Sequence, residues 1–237
     1  MRAVSSTYQQ LIAGKHYAEI KASVDGVDYG QSHIIALSTD TGALSERKPS
    51  VGCCVAGQIT LKMFNPNVTI SRMASIKPYY RLTDGTNTSE WVQKGEYFID
   101  TRSVDENGVL TLKGYDAMLK AEQVMYTDDT TKTTYPKDDI DVVEDIAYLM
   151  GVDIDSRVYD IMTQEYQVQY PGYNDTGLTL REVLGYIGSM YGGNWIMSDE
   201  GELLLLRLIE VQQFYLADEL GNALLFGSDD TYIWWEK

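Results

Sequence analysis

Histidine and cysteine are scarce in this chain of 237 residues, with two of each. A Ser-His-Asp or Cys-His hydrolase would need His16 or His33. His16 falls just ahead of a predicted strand, His33 falls in a polar turn, and no Gly-x-Ser-x-Gly elbow surrounds any serine. A zinc centre needs four ligands at fixed spacings, and Cys53, Cys54, His16 and His33 follow no such pattern. Adjacent cysteines bridge only through a strained ring, so Cys53 and Cys54 read as a reduced, half-buried pair in a strand. The expectation is no catalytic, cofactor-binding or metal-binding residue, and no cofactor.

Positive charge is also scarce, at 19 Lys and Arg against 35 Asp and Glu. The formal net charge is −16, which excludes a protein that grips phosphate backbones through basic side chains. Apolar runs such as Leu203–Leu206 fall far short of the roughly 18 residues that span a bilayer. The segment MRAVSSTYQQLIAGKHY lacks an apolar signal core, so neither membrane insertion nor secretion is expected. Gly192-Gly193 follows a helix pattern where a phosphate loop would precede one. Asp153-x-Asp155 and Asp138-Asp139-x-Asp141 offer too few oxygen ligands for a calcium loop. Acid pairs such as Asp128-Asp129 and Asp229-Asp230 read as solvated loop residues.

What the chain does have is a core: 44% hydrophobic residues and 18 tyrosines. Its first half reads as β. Asp25-Gly26 and Asn107-Gly108 are hairpin turns between alternating runs. In Val55–Phe64, Ile59, Leu61 and Met63 share one face, and Thr83–Ser89 is a polar loop. Helices are expected only after residue 113. Asp116 caps a short helix over 116–125. The segment after Asp138 and Asp139 forms a second, with Ile140, Val143, Ala147 and Met150 on one face and Gly151 closing it. Thr179 and Glu182 form a capping box for a third that stops at Gly192-Gly193. A hairpin turning at Glu200-Gly201 follows, its Leu203–Leu206 strand covered on both faces. The last stretch returns to strand-like runs. Ten acids between 128 and 160 face three bases.

Three phrases in series carry a family resemblance: GEYFIDTRSVDENGVLTLKGYDAMLKAE, DVVEDIAYLMGVDID and GLTLREVLGYIGSMYGGNWIMSDEGELLLLRL. The order (hairpin, "GYD" helix, "DVVEDIA" helix, capped "LREVL…GGN" helix, hairpin) resembles the tail hub, or baseplate hub, proteins of bacteriophages and prophages. It includes the N-terminal hub region of tail-associated lysins and prophage tail endopeptidases, and covers about residues 55–210. The resemblance implies a mainly β, α+β fold, a small β-barrel interrupted by an α+β insertion. Residues 1–122 plus 211–237 would form the barrel and 123–210 the insertion. It implies a structural part of the tail tip in the virion, made in the host cytoplasm and serving host cell entry. The partners would be further copies in a homotrimer, the tail tube or distal tail protein, and the tip or spike protein. DNA would pass through without specific binding, which the acidic charge suits. In the family a second barrel commonly follows, and this sequence reaches Lys237 where that barrel would start. Tyr232, Ile233, Trp234 and Trp235 are the candidate oligomer contacts, with core strand as the alternative. The competing functions are a cell-wall hydrolase or endopeptidase, and a carbohydrate- or receptor-binding β module that stacks sugars on Trp91 or Trp195.

Overall fold

The computed structural model describes residues 4–43, 50–125, 134–163, 166–169 and 177–208. The chain is α+β and mainly β, with two large apolar cores. A short helix comes first, α1 (Ser6–Ala13), capped by the Ser5 hydroxyl, which accepts the Tyr8 N–H. The absence of helix before residue 113 is therefore corrected. The polar look of the segment hides a spacing of three between Tyr8 and Leu11, and both are buried beside Leu82 and Val92.

Eight strands follow: β1 (Tyr17–Val24), β2 (Val27–Gly30), β3 (Ile34–Asp40), β4 (Gln58–Phe64), β5 (Ser75–Thr83), β6 (Val92–Gln93), β7 (Tyr97–Val104) and β8 (Val109–Tyr115). Both expected turns form. Asp25 and Gly26 take positive φ between β1 and β2, and Gly108 does so between β7 and β8. The strands pair antiparallel in the order β2-β1-β5-β7-β8-β4-β3, with β6 beside β5.

This sheet is rolled. Six spacings of about 4.8 Å would put β2 and β3 some 29 Å apart in a flat sheet. Four Cα steps from Gly30 to Ile34 reach at most about 14 Å. The interior confirms it: Ala22, Tyr29, Ile34, Leu61, Ile76 and Leu112, from strands right across the order, share one core. Ile59, Leu61 and Met63 face inward as their alternation predicts, at 1% exposure or less. The expected barrel is not closed among the described residues, because β2 and β3 do not pair.

The second core starts at Ala117. After β8, Asp116 caps a 3-10 turn over Ala117–Glu122, tighter and shorter than the helix expected over 116–125. Then come β9 (Lys137–Asp138), α2 (Asp139–Met150), α3 (Arg157–Ile161), β10 (Gln167–Val168), α4 (Leu180–Met190), β11 (Gly193–Met197) and β12 (Leu203–Arg207). Met118, Ile146, Val158, Leu184, Trp195 and Leu203 pack in this core, with Cys54 reaching in from the β3–β4 connection. α2 ends at Gly151, whose φ of 64° suits the left-handed cap. The capping box of α4 is complete: Glu182 N–H donates to the Thr179 hydroxyl, and Thr179 N–H to the Glu182 carboxylate. Leu203–Leu205 are buried in succession, as a strand covered on both faces should be, and Leu206 emerges. Residues 209–237 lie outside the described residues, so the expected return to the sheet does too.

Candidate functional site

Two features stand out: a polar clasp where the two cores meet, and a strand edge that pairs with no other strand among the described residues.

The clasp is built on Asn194, the second residue of β11. Glycine at 193 lets the backbone of β12 approach, since a Cβ there would sit 2.8 Å from the Leu206 carbonyl oxygen. Asn194 is wholly buried. Its amide donates to the carbonyls of Ala43 and Ser50 at 2.9 and 2.8 Å, and its oxygen accepts the Cys53 N–H at 2.9 Å. One side chain therefore ties both ends of the 43–50 stretch to the lobe. The backbone continues the seam, with Gly52 N–H donating to the Gly193 carbonyl and Trp195 N–H to that of Cys53. Gly52 has a φ of +76°, and a Cβ there would meet the Ser189 hydroxyl at 2.1 Å and the Gly185 carbonyl at 2.6 Å. A groove of about 490 Å³ runs between this strap and α4, lined by Cys53, Val55, Arg181, Gly185 and Tyr186 among others.

Asp116 makes the second tie. Its carboxylate accepts the N–H of Gly57 at 2.8 Å and of Met118 at 3.0 Å. Burial pushes its carboxyl up to about 6, against the pull of those two N–H groups and of Arg181. A third tie joins the β11–β12 turn to the β6–β7 loop. Gly95 N–H and the Gln93 amide both donate to the Asp199 carbonyl, and Lys94 pairs with its carboxylate at 3.3 Å. Between these ties Glu96, Asp153, Glu200 and Glu202 rim an acidic cleft of about 230 Å³.

The open edge is β3. Its inner neighbour is β4, and its outer N–H and C=O groups pair with no strand among the described residues. Apart from Ile34 and half-buried Leu37 the strand is exposed. Leu37 and Ile20 of β1 are the half-buried members of the sheet core. A register shift at Ile34/Ala36 is its only break. An edge of seven residues without lysine or proline is a template for another strand.

The sequence-predicted residues fall as follows. Tyr232, Ile233, Trp234 and Trp235 lie outside the described residues. Trp195 is fully buried and donates its indole N–H to the Leu184 carbonyl at 2.7 Å, so it offers no face to a sugar. Trp91 is half-buried, with the Arg81 guanidinium 4.5 Å and the Lys21 ammonium 5.2 Å from its ring centre. Cys53 and Cys54 are free thiols, and burial pushes the Cys54 thiol up to about 12. His16 contacts the Gly14 carbonyl, and His33 contacts its neighbour Ser32 in an exposed turn. Among the described residues no three His, Cys, Asp or Glu side chains are grouped to hold a metal ion. No described helix is long and apolar enough to cross a membrane. Sequence reasoning missed β3 and Asn194. Ile34-Ile35-Ala36-Leu37 was a visible strand signal, whereas a clasping asparagine has none.

No family model matches the chain. No curated protein matches it either. Among solved structures it is similar to the crystal structure of the 43 kDa tail protein of prophage MuSo2 from Shewanella oneidensis, with a TM-score of 0.49 and 15% identity. The match covers 81% of this chain and 53% of that one, so the chain spans about half the length of that tail protein.

Proposed function

We propose that this chain is a structural component of a phage or prophage tail. In this reading it forms the hub that joins the tail tube to the tip or spike around the DNA passage, and it performs no catalysis. That puts it in the same class, phage tail proteins, as the solved structure to which it is similar. The observation that carries the reading is the serial order quoted from the sequence, now seen as real elements: the β7–β8 hairpin, the Asp116-capped turn, α2, the boxed helix α4, and the β11–β12 hairpin. The open β3 edge and the net charge of −16 suit an assembling, DNA-repelling wall.

The reading includes the barrel. Leu208 N–H donates to the Gly192 carbonyl, two residues from the Asn194 amide that holds Ala43. In this reading residues 1–122 and 211–237 make up the barrel, and Tyr232, Ile233, Trp234 and Trp235 are its oligomer contacts; residues 209–237 lie outside the described residues. A hub meeting a tube of higher symmetry needs a closed ring with heterologous contacts, here a homotrimer.

The test is light scattering on the virion-derived protein and on a version extended past Lys237. A trimer in either supports the hub, and a monomer in both at assembly concentrations removes it.

A further inference from the structure

The outer face of α2 spends an aromatic side chain on solvent. Val142, Val143, Ile146, Ala147 and Met150 turn inward and satisfy the core. Outside, Asp141, Glu144 and Tyr148 follow one another at spacings of three and four, which stacks them in one stripe. Tyr148 is 85% exposed, the most of any large apolar side chain among the described residues, and Leu149 beside it is 41% exposed. α3 widens the same surface. Tyr159 is 46% exposed and donates its hydroxyl to the Glu144 carboxylate at 3.1 Å, with Asp160 next to it. Lysine 137, on the strand before α2, is engaged by Asp145 at 2.6 Å, and Arg157 of α3 is engaged by Asp155. Among the described residues no cation pairs with Asp141, Glu144 or Asp160.

We infer that the α2–α3 face is a docking surface for a basic segment of a partner protein, one that presents arginine side chains. The chemistry selects that occupant. A guanidinium stacks on the exposed face of a tyrosine while its N–H fork pairs with a carboxylate, and its stem covers an apolar neighbour such as Leu149. Nucleic acid and anionic lipid carry the wrong charge for Asp141, Glu144 and Asp160. A second copy, with 19 Lys and Arg against 35 Asp and Glu, is poor in the basic side chains this face selects. The surface depends only on this lobe and holds whether or not the chain is a tail hub.

The experiment is amide chemical-shift mapping of the whole chain with a short peptide that alternates arginine and leucine, and a glutamate-for-arginine peptide as control. At physiological salt the arginine peptide shifts resonances of 139–150 and 157–161, and the control shifts none of them. Glu144→Gln and Tyr148→Ala, both at exposed positions, each weaken the peptide by about two- to five-fold, the range of single exposed charge contacts. Glu202→Gln, at the acidic cleft, leaves it unchanged. Shifts centred on Glu96, Glu200 and Glu202, an affinity indifferent to Glu144→Gln and Tyr148→Ala, or no binding at all would overturn the inference.

Discussion

The phenol of Tyr191 donates to the carboxylate of Asp139 at 2.6 Å across 52 residues of sequence, and so locks the end of α4 to the start of α2. Asp139 is 1% exposed and also accepts the Ile140 N–H. Burial raises its carboxyl above the usual range despite both donors, and burial raises the Tyr191 phenol too. Replacing Tyr191 by Phe leaves a buried carboxylate short of one partner. The expected cost is about 2 kcal/mol of stability. Equilibrium denaturation measures it, and an unchanged midpoint at unchanged slope would show that the pair contributes nothing.

Stability should rise on mild acidification. Asp116 titrates at about 6 in the folded chain and near 3.9 unfolded, so the native state binds the proton first. Its contribution is complete below the unfolded value and is lost as pH climbs through about 6. Asp139 shifts in the same direction. Between pH 7 and pH 5 the Asp116 gain is roughly 1 kcal/mol. Depressed carboxyls such as Asp155, held down by its bond to Arg157, lose their contribution only at lower pH. Urea midpoints across this window check the sign; a midpoint that falls with acid contradicts it.

Asn194→Ala removes three hydrogen bonds, those to the Ala43 and Ser50 carbonyls and that from the Cys53 N–H. A loss of about 3 kcal/mol is expected. Amide exchange should quicken at Gly52 and Cys53 before it does in β4. If the whole chain loosens uniformly instead, Asn194 is not a local clasp.

Gly52→Ala tests the same seam by crowding. The positive φ and the Gly185 carbonyl 2.6 Å from the added carbon both oppose it. At least about 1 kcal/mol should be lost, and Ser189→Ala should recover little of it, because the backbone contact remains. Full recovery would place the strain in the Ser189 side chain alone.

Thr179→Ala strips the capping box of α4 of its hydroxyl acceptor and should cost about 1 kcal/mol. Thr179→Ser should keep most of it. Equal losses in the two would discount the cap.

Local grammar made much of this legible. Asn107-Gly108, Thr179-x-x-Glu182 and Gly151 act within a few residues of themselves, and each ends or starts an element as its chemistry requires. The inward alternation of Ile59, Leu61 and Met63 fixed the face of β4 before its partners were known. What escaped is long-range. Asp139 reads as one more acid in a helix's first turn, yet it is buried against a tyrosine whose approach depends on how α4 folds back. Asn194 reads as the start of a hairpin strand after two glycines, and its three partners lie between 141 and 151 residues away. The rolled sheet was foreseen as a barrel, but whether a ladder closes depends on strands that sequence spacing cannot pair.

The meeting of two greasy cores across a polar seam sets how this chain yields to a pull. Each seam bond nets only about 1 kcal/mol, because water takes over its donors and acceptors once they part. Opening either core exposes side chains such as Trp195 or Leu61, which water cannot repay. A load applied between sheet and lobe therefore parts the molecule at Asn194, Asp116 and Asp199 first. The expectation is that the seam gives way before either core opens, as a coupling does when it is built to slip before the shafts on either side of it break.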